Sequence, residues 1–251
     1  KNFLIDMKKD LIKKNYNKKI DLFNHYNKKY FDQNISEISD TDFDKLKKEI
    51  LDLEKKYKFL NSSKSPSKTV GFKPSKNFKK VTHRISMLSL SNAFSEEDLL
   101  NFEKKIFNFL DRKNDFKIEY SVEPKIDGIS ASLNYKDGKF ITGLSRGDGK
   151  EGEDITANLK TINDIPQFIT DKNFPKDIDI RGEVFIKNTD FKKISGKFAN
   201  PRNAASGSLR QKNPHDTKKI PLKFIAYTFG YEKGLDADCQ SEYLAKLKKW
   251  G

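Results

Sequence analysis

Glu123-Pro124-Lys125-Ile126-Asp127-Gly128 runs without a break into Ile129-Ser130-Ala131-Ser132-Leu133-Asn134-Tyr135, then Lys136-Asp137-Gly138-Lys139, then Phe140-Ile141-Thr142-Gly143-Leu144. Two apolar-rich runs around an Asp-Gly pair are the signature of a tight hairpin, because the favoured two-residue turn needs positive φ at both central positions. Working outward, 118–122, 178–186 and 222–227 also read as strands. Consecutive hairpins imply antiparallel sheets with helices packed outside them, so the fold class expected here is α+β.

Upstream the period changes. Leu4, Met7 and Leu11 recur at helical spacing, and Phe43, Leu46, Ile50, Leu53 and Tyr57 do so more clearly. Ser39 or Asp40 is placed to cap that second helix. Residues 1 to about 60 therefore read as a small helical unit. From Lys64 to Arg84 there are seven basic residues and no acidic one, with Pro66, Gly71 and Pro74 among serines, which reads as an extended basic connection. Ser95-Glu96-Glu97-Asp98 resembles a capping box and opens a helix with Leu99, Phe102, Ile106 and Leu110 on one face.

The chain has 251 residues and a formal net charge of +14, with 34% charged and 35% hydrophobic residues. Such a balance suits a soluble protein that meets a polyanion, nucleic acid first, although a lysine-rich surface kept only for solubility fits equally well. The charge is uneven: residues 1–80 hold 21 Lys against 11 acids, while the remaining 171 hold 29 bases and 25 acids. No apolar run approaches the ~20 residues of a membrane span, and no secretory pattern opens the chain. A single cysteine, Cys239, excludes an internal disulfide framework and a multi-cysteine zinc site, so the chain reads as intracellular. Only six bases are arginines, at 84, 112, 146, 181, 202 and 210; they hint at places where a planar fork is needed.

Three stretches compete for the chemistry. Gly147-Asp148-Gly149-Lys150-Glu151-Gly152 matches G-x-G-x-x-G, but it follows an antiparallel hairpin rather than opening a βαβ unit, so a plain glycine-rich loop is the stronger reading. In Glu123 to Gly128, strand alternation would set Glu123, Lys125 and Asp127 on one face. That is either an exposed ladder of charges or a nucleophilic lysine between carboxylates. A nucleophilic amine must be unprotonated, and flanking carboxylates by themselves oppose that. Phe198-Ala199-Asn200-Pro201-Arg202-Asn203-Ala204-Ala205-Ser206-Gly207-Ser208-Leu209-Arg210-Gln211 combines small residues with two arginine forks suited to phosphate, or is a helix start with a packed alanine face.

Taken in order, these stretches resemble the N-terminal part of the bacterial-type NAD+-dependent DNA ligases. Ile38-Ser39-Asp40-Thr41-Asp42-Phe43-Asp44 resembles the family's I-S-D-x-x-Y-D signature. His83-Arg84-Ile85-Ser86-Met87-Leu88-Ser89-Leu90-Ser91-Asn92 is similar to H-x-x-P-M-L-S-L-x-N. Glu123 to Gly128 resembles the adenylation motif E-x-K-x-D-G, and Ser145 to Thr156, Arg181 to Phe185 and Phe198 to Gln211 resemble the blocks that follow. Phe43 stands where the family usually has Tyr, Phe31 where His is expected, and Ser86 where Pro is usual.

The resemblance implies a helical nicotinamide mononucleotide-binding domain with its linker over 1–68 and an adenylation domain over 69–251. It implies nick sealing in double-stranded DNA in three steps, with NAD+ as AMP donor and Mg2+ as the metal. Lys125 and Asp127 would be catalytic. Tyr30, Asp40, Phe43, Asp44, Ser89, Leu90, Glu123, Arg146 and Glu183 would bind the cofactor, with Glu183 also a metal contact through water. Arg202 and Arg210 would serve nucleotide or DNA phosphates. The implied protein is a cytoplasmic monomer without zinc or membrane contact in this part. The family's later D-G-x-V-x-K and K-x-P motifs do not appear, so the chain reads as a C-terminally incomplete fragment with impaired self-adenylation. An ATP-dependent ligase, an RNA-capping nucleotidyltransferase and a non-catalytic basic nucleic-acid-binding module are the alternatives.

Overall fold

In the computed structural model, residues 2–33, 37–68, 78–111, 117–194, 196 and 198–251 are described, and the side chains of 2–7, 30–33 and 40 fall outside that description. Gly71, Pro74 and Arg112 of the sequence reading lie outside the described residues. Contacts divide the chain into one unit of Lys1–Met87 with Ile126–Gly251 and a second of Leu88–Lys125.

The first unit begins with two helices, α1 (Asn2–Gln33) and α2 (Asp40–Lys56). On α1 the buried residues Tyr16, Ile20, Phe23 and Asn27 step by four, three and four, which lines them along one helical stripe. They pack with Leu46, Ile50 and Leu60, and Phe43 stacks on Phe23 with ring centroids 4.8 Å apart. Of the two candidate caps, Ser39 is the one used: its Oγ accepts the Asp42 N–H at 3.1 Å. The Tyr16 hydroxyl donates to Glu54 at 2.6 Å; burial first, and that carboxylate second, push its pKa up to about 12.

The rest of this unit is built on an antiparallel sheet in the order β3-β2-β5-β6, from β2 (Ile129–Lys136), β3 (Lys139–Ser145), β5 (Asp177–Ile186) and β6 (Leu222–Lys233). Asp137 and Gly138 have φ of 48° and 73°, as the hairpin reading requires. β1 (Lys80–Thr82) and β4 (Glu151–Glu153) form a second, two-stranded sheet. Short helices α4 (Thr156–Leu159), α5 (Asn188–Phe191), α6 (Pro201–Leu209) and α7 (Pro214–Lys218) and the longer α8 (Gln240–Trp250) surround these sheets. The fold is α+β, as the hairpins imply. No helix among the described residues is long and apolar enough to cross a membrane.

Alternation gives the main sheet two unlike faces. Leu133, Tyr135, Ile178, Ile180, Val184 and Ile186 join Leu159, Ile162, Ile165, Leu209 and Trp250 in one core. Each such side chain contributes roughly 1.5–3 kcal/mol on burial. Buried hydroxyls in this core keep partners: Tyr135 donates to the Pro166 carbonyl at 2.6 Å and Tyr243 to that of Thr228 at 3.1 Å. The opposite face carries Ser130, Ser132, Asn134, Asp177, Asp179, Arg181 and Glu183, placed there by register and period.

The second unit holds α3 (Glu96–Leu110), capped by Ser95 as expected. On the face of Leu99, Phe102, Ile106 and Leu110, Leu99, Phe102 and Leu110 stay 58%, 52% and 47% exposed, and Phe107 is the buried residue of this helix. One expectation fails in this unit. Residues 118–122 are not a strand; 117–127 has no ladder partner among the described residues. An extended propensity becomes a strand only when a neighbour takes up its backbone groups, so the alternation argument for Glu123, Lys125 and Asp127 does not apply.

A Cβ on Gly138 would run into the carbonyl oxygen of Ile169, and its φ is positive. Gly138→Ala is therefore expected to destabilise the fold by about 1–3 kcal/mol, read as a lowered midpoint in denaturant unfolding; an unchanged midpoint contradicts this account of the turn.

Candidate active site

The site grows from the polar face of β5. Glu183 is buried, and directly across the β2–β5 ladder the Ser130 hydroxyl donates to its Oε2 at 2.9 Å. Gly128 precedes this pair because a Cβ there would meet the Val184 carbonyl oxygen. That close approach is what brings the end of the Glu123–Gly128 motif onto β5. Further along the same face, Arg84 forks onto Asp179 at 3.0 and 2.5 Å and reaches Asp177 at 2.8 Å, while its guanidinium covers the Tyr231 ring at 4.1 Å. Arg181 donates to the carbonyls of Ile85 and Ser86.

Two further arginines, Arg146 and Arg202, come close to one another here, and Arg146 is near Glu183. Arg146, just past β3, gives its backbone N–H to the Ser130 carbonyl at 3.2 Å, and its own carbonyl is 3.1 Å from His83 Nε2. Its pKa is depressed, by burial first and then by repulsion from Arg202, with Glu183 opposing. Arg202 is presented by α6. There Asn200 caps the Asn203 N–H at 2.7 Å, Pro201 fills the first turn without needing a donor, and Ala204 and Ala205 are fully buried. So the alanine face of that stretch is packed, as one of its two readings has it. Arg202 Nη1 donates to Asp127 Oδ1 at 2.8 Å, and Asp127 is largely exposed. In water such an ion pair contributes little stability.

Asp127, Arg146, Glu183 and Arg202 are thus brought together, with Ser130 and Tyr227, which the sequence reading did not single out. Burial raises the Tyr227 pKa first, and the nearby Glu183 carboxylate adds to that. Ser130 follows the Lys-x-Asp-Gly run by two residues, near the start of β2, the one cue that could have found it. Two arginine forks beside a buried carboxylate can hold phosphate oxygens and accept hydroxyl hydrogens respectively.

Other expected residues sit elsewhere. Arg210 Nε donates at 3.1 Å to Glu153, which is fully buried. Phe43 packs in the helical core and Asp44 is half-buried beside it in sequence; the side chains of Tyr30 and Asp40 lie outside the described residues. Ser89, Leu90, Glu123 and Lys125 are exposed residues of the second unit, where Glu123 accepts from Ser121 Oγ at 3.0 Å. The glycine-rich match joins β3 to β4. Its Asp148 carboxylate accepts the N–H groups of Lys150 and Glu151, and Gly147 and Gly149 have φ of 59° and 92°. It is a turn, not the start of a crossover helix.

Arg210→Ala leaves a buried carboxylate without that partner and is expected to cost about 3 kcal/mol or more in denaturant unfolding. Adding Glu153→Gln is expected to recover most of the loss; a single variant as stable as the native chain shows that the pair is not structural. His83 is buried, and that burial depresses its pKa below the ordinary 6.5. The unfolded chain then binds this proton first, so stability is expected to fall as pH drops below about 6.5 toward the lower folded value. His83→Gln is expected to flatten that slope in unfolding midpoints measured from pH 8 to 5.

Residues 75–251 match the NAD-dependent DNA ligase adenylation domain, and residues 9–71 match the DNA ligase-like, N-terminal NAD+-binding domain. A DNA ligase of Pelagibacter ubique is 69% identical over 236 residues, covering 94% of this chain and 35% of the relative. One from Parvibaculum lavamentivorans is 45% identical over 90% of this chain and 33% of the relative, and one from Clostridioides difficile 42% over 96% and 36%. The chain spans about a third of the length of these curated relatives. With both domain matches in order along a chain that carries the Lys125-Ile126-Asp127-Gly128 run, it belongs to the NAD-dependent DNA ligase family.

Proposed function

We propose that this chain carries the nucleotide-binding and adenylation part of a nick-sealing ligase, as a fragment whose own self-adenylation is impaired. The observation that carries the reading is the cluster in which Arg202 meets Asp127 while Arg146 and buried Glu183 face each other a strand away. Two forks and a carboxylate at the end of the Lys125–Gly128 run suit a nucleotide's phosphate and ribose.

In the proposed step, the Lys125 amine, having lost its proton, attacks the α-phosphorus of NAD+. A P–N bond forms, the pyrophosphate P–O bond breaks, and nicotinamide mononucleotide leaves with the electron pair. Asp127 and Glu123 position lysine and nucleotide, Ser89 and Leu90 lie along the adenosine, and Arg146 contacts its sugar or phosphate. Glu183 accepts ribose hydroxyls. Arg202 and Arg210 take phosphate, the latter while tied to Glu153. Domain 1–68 receives the leaving mononucleotide through Tyr30, Asp40, Phe43 and Asp44, and 69–251 carries the adenylation. In the whole protein the adenylyl group then passes to a DNA 5′-phosphate, and the 3′-hydroxyl displaces it; we read that protein as a cytoplasmic monomer acting on nicked duplex.

Among the described residues no group of three or more His, Cys, Asp or Glu could hold a metal. The donor set at Glu183 suits Mg2+, which keeps its waters and binds through one or two carboxylates with substrate phosphates. When bound it supplies charge neutralisation at the phosphates.

Intact-mass measurement after mixing with NAD+ and Mg2+ tests the reading. The expected outcome is a partial gain of one AMP from NAD+, short of full conversion as the impaired fragment implies, with none from ATP or GTP and none in Lys125→Ala. A gain from ATP or GTP instead removes the NAD+ assignment; no gain from any donor removes self-adenylation from this chain.

A further inference from the structure

Ser130 is where the site's strands are joined through one side chain. Its carbonyl accepts the Arg146 N–H at 3.2 Å and its hydroxyl donates to Glu183 at 2.9 Å. A hydroxyl has one proton and two lone pairs, whereas an ionised carboxylate only accepts. With Glu183 ionised, the Ser130 hydroxyl is necessarily the donor in their contact. Glu183 is 8% exposed, so water replaces a lost hydroxyl poorly, and a buried carboxylate deprived of a donor turns toward another.

We infer that Ser130 is a positioning residue for ribose recognition, holding the Glu183 carboxylate in the rotamer that accepts the nucleotide's ribose hydroxyls. The inference rests on the assignment of Glu183 to the ribose made above. It adds a residue that acts through Glu183 and touches no substrate. It makes nucleotide affinity depend on a hydroxyl two residues beyond the Lys-x-Asp-Gly run.

Calorimetric titration of the chain with AMP and with 2′,3′-dideoxy-AMP tests it, because non-covalent binding is read whether or not Lys125 is adenylated. Ser130→Ala is expected to weaken AMP binding by about 5- to 20-fold, the effect of losing one charge-assisted hydrogen bond in part. Ser130→Thr restores the hydroxyl on a residue that strands favour and is expected to return affinity to within about 3-fold of native. With 2′,3′-dideoxy-AMP, which has no ribose hydroxyls for Glu183, native and Ser130→Ala are expected to agree within about 2-fold. Equal weakening for both nucleotides indicates general loosening of the sheet and overturns the inference, as does unchanged AMP binding in Ser130→Ala. Loss of Lys125-dependent adenylation with this binding pattern intact sinks the ligase step alone. A native chain that binds no AMP overturns both.

Discussion

Burying both faces of β5 is the constraint on which the rest depends. Nearly all of its ten residues are buried, yet Asp177, Asp179, Arg181 and Glu183 alternate with Ile178, Ile180, Val184 and Ile186. A carboxylate or guanidinium taken out of water without partners costs several kcal/mol, more than an apolar neighbour returns. The polar face is therefore tolerated only because other segments come to meet it. The loop at 83–87 brings Arg84 to Asp177 and Asp179 and lends carbonyls to Arg181, and β2 brings Ser130 and Asn134.

That requirement explains where the rare arginines went. A planar fork meets two oxygens at fixed spacing with one residue, a geometry the compact lysine ammonium does not present. Arg84 forks onto two aspartates, Arg181 onto two carbonyls, and Arg210 holds buried Glu153. Counting arginines thus located places where the fold needs a fork as much as places where a ligand does. With Arg112 outside the described residues, Arg146 and Arg202 are the described arginines that remain, Arg202 on the exposed carboxylate of Asp127 and Arg146 near the buried one of Glu183.

The helical head follows simpler rules. Its charge excess lies on solvent-facing lysines, while Tyr16, Ile20, Phe23, Leu46 and Ile50 form a stripe-against-stripe core. Phe43, where the family usually carries a tyrosine, stacks inside that core on Phe23, so its ring has a packing role whatever ligand contact it makes.

The sequence by itself determined whatever depends on neighbours along the chain. The Asp137-Gly138 turn, the Ser39 and Ser95 caps, the two-face pattern of β5 and the ordered family motifs were all legible, because turn geometry, capping and strand period are local. What needed a partner was not. Residues 118–122 have strand composition but no ladder, and the periodic face of α3 is apolar but exposed. Arg210 reads as a phosphate ligand until Glu153 is seen beneath it, and Ser130 reads as filler until register sets it against Glu183. Pairing, burial and the choice of ionic partner are decided by residues 53 and 57 positions apart in these two cases, and only tertiary structure brings such distant groups within the few ångströms over which they act.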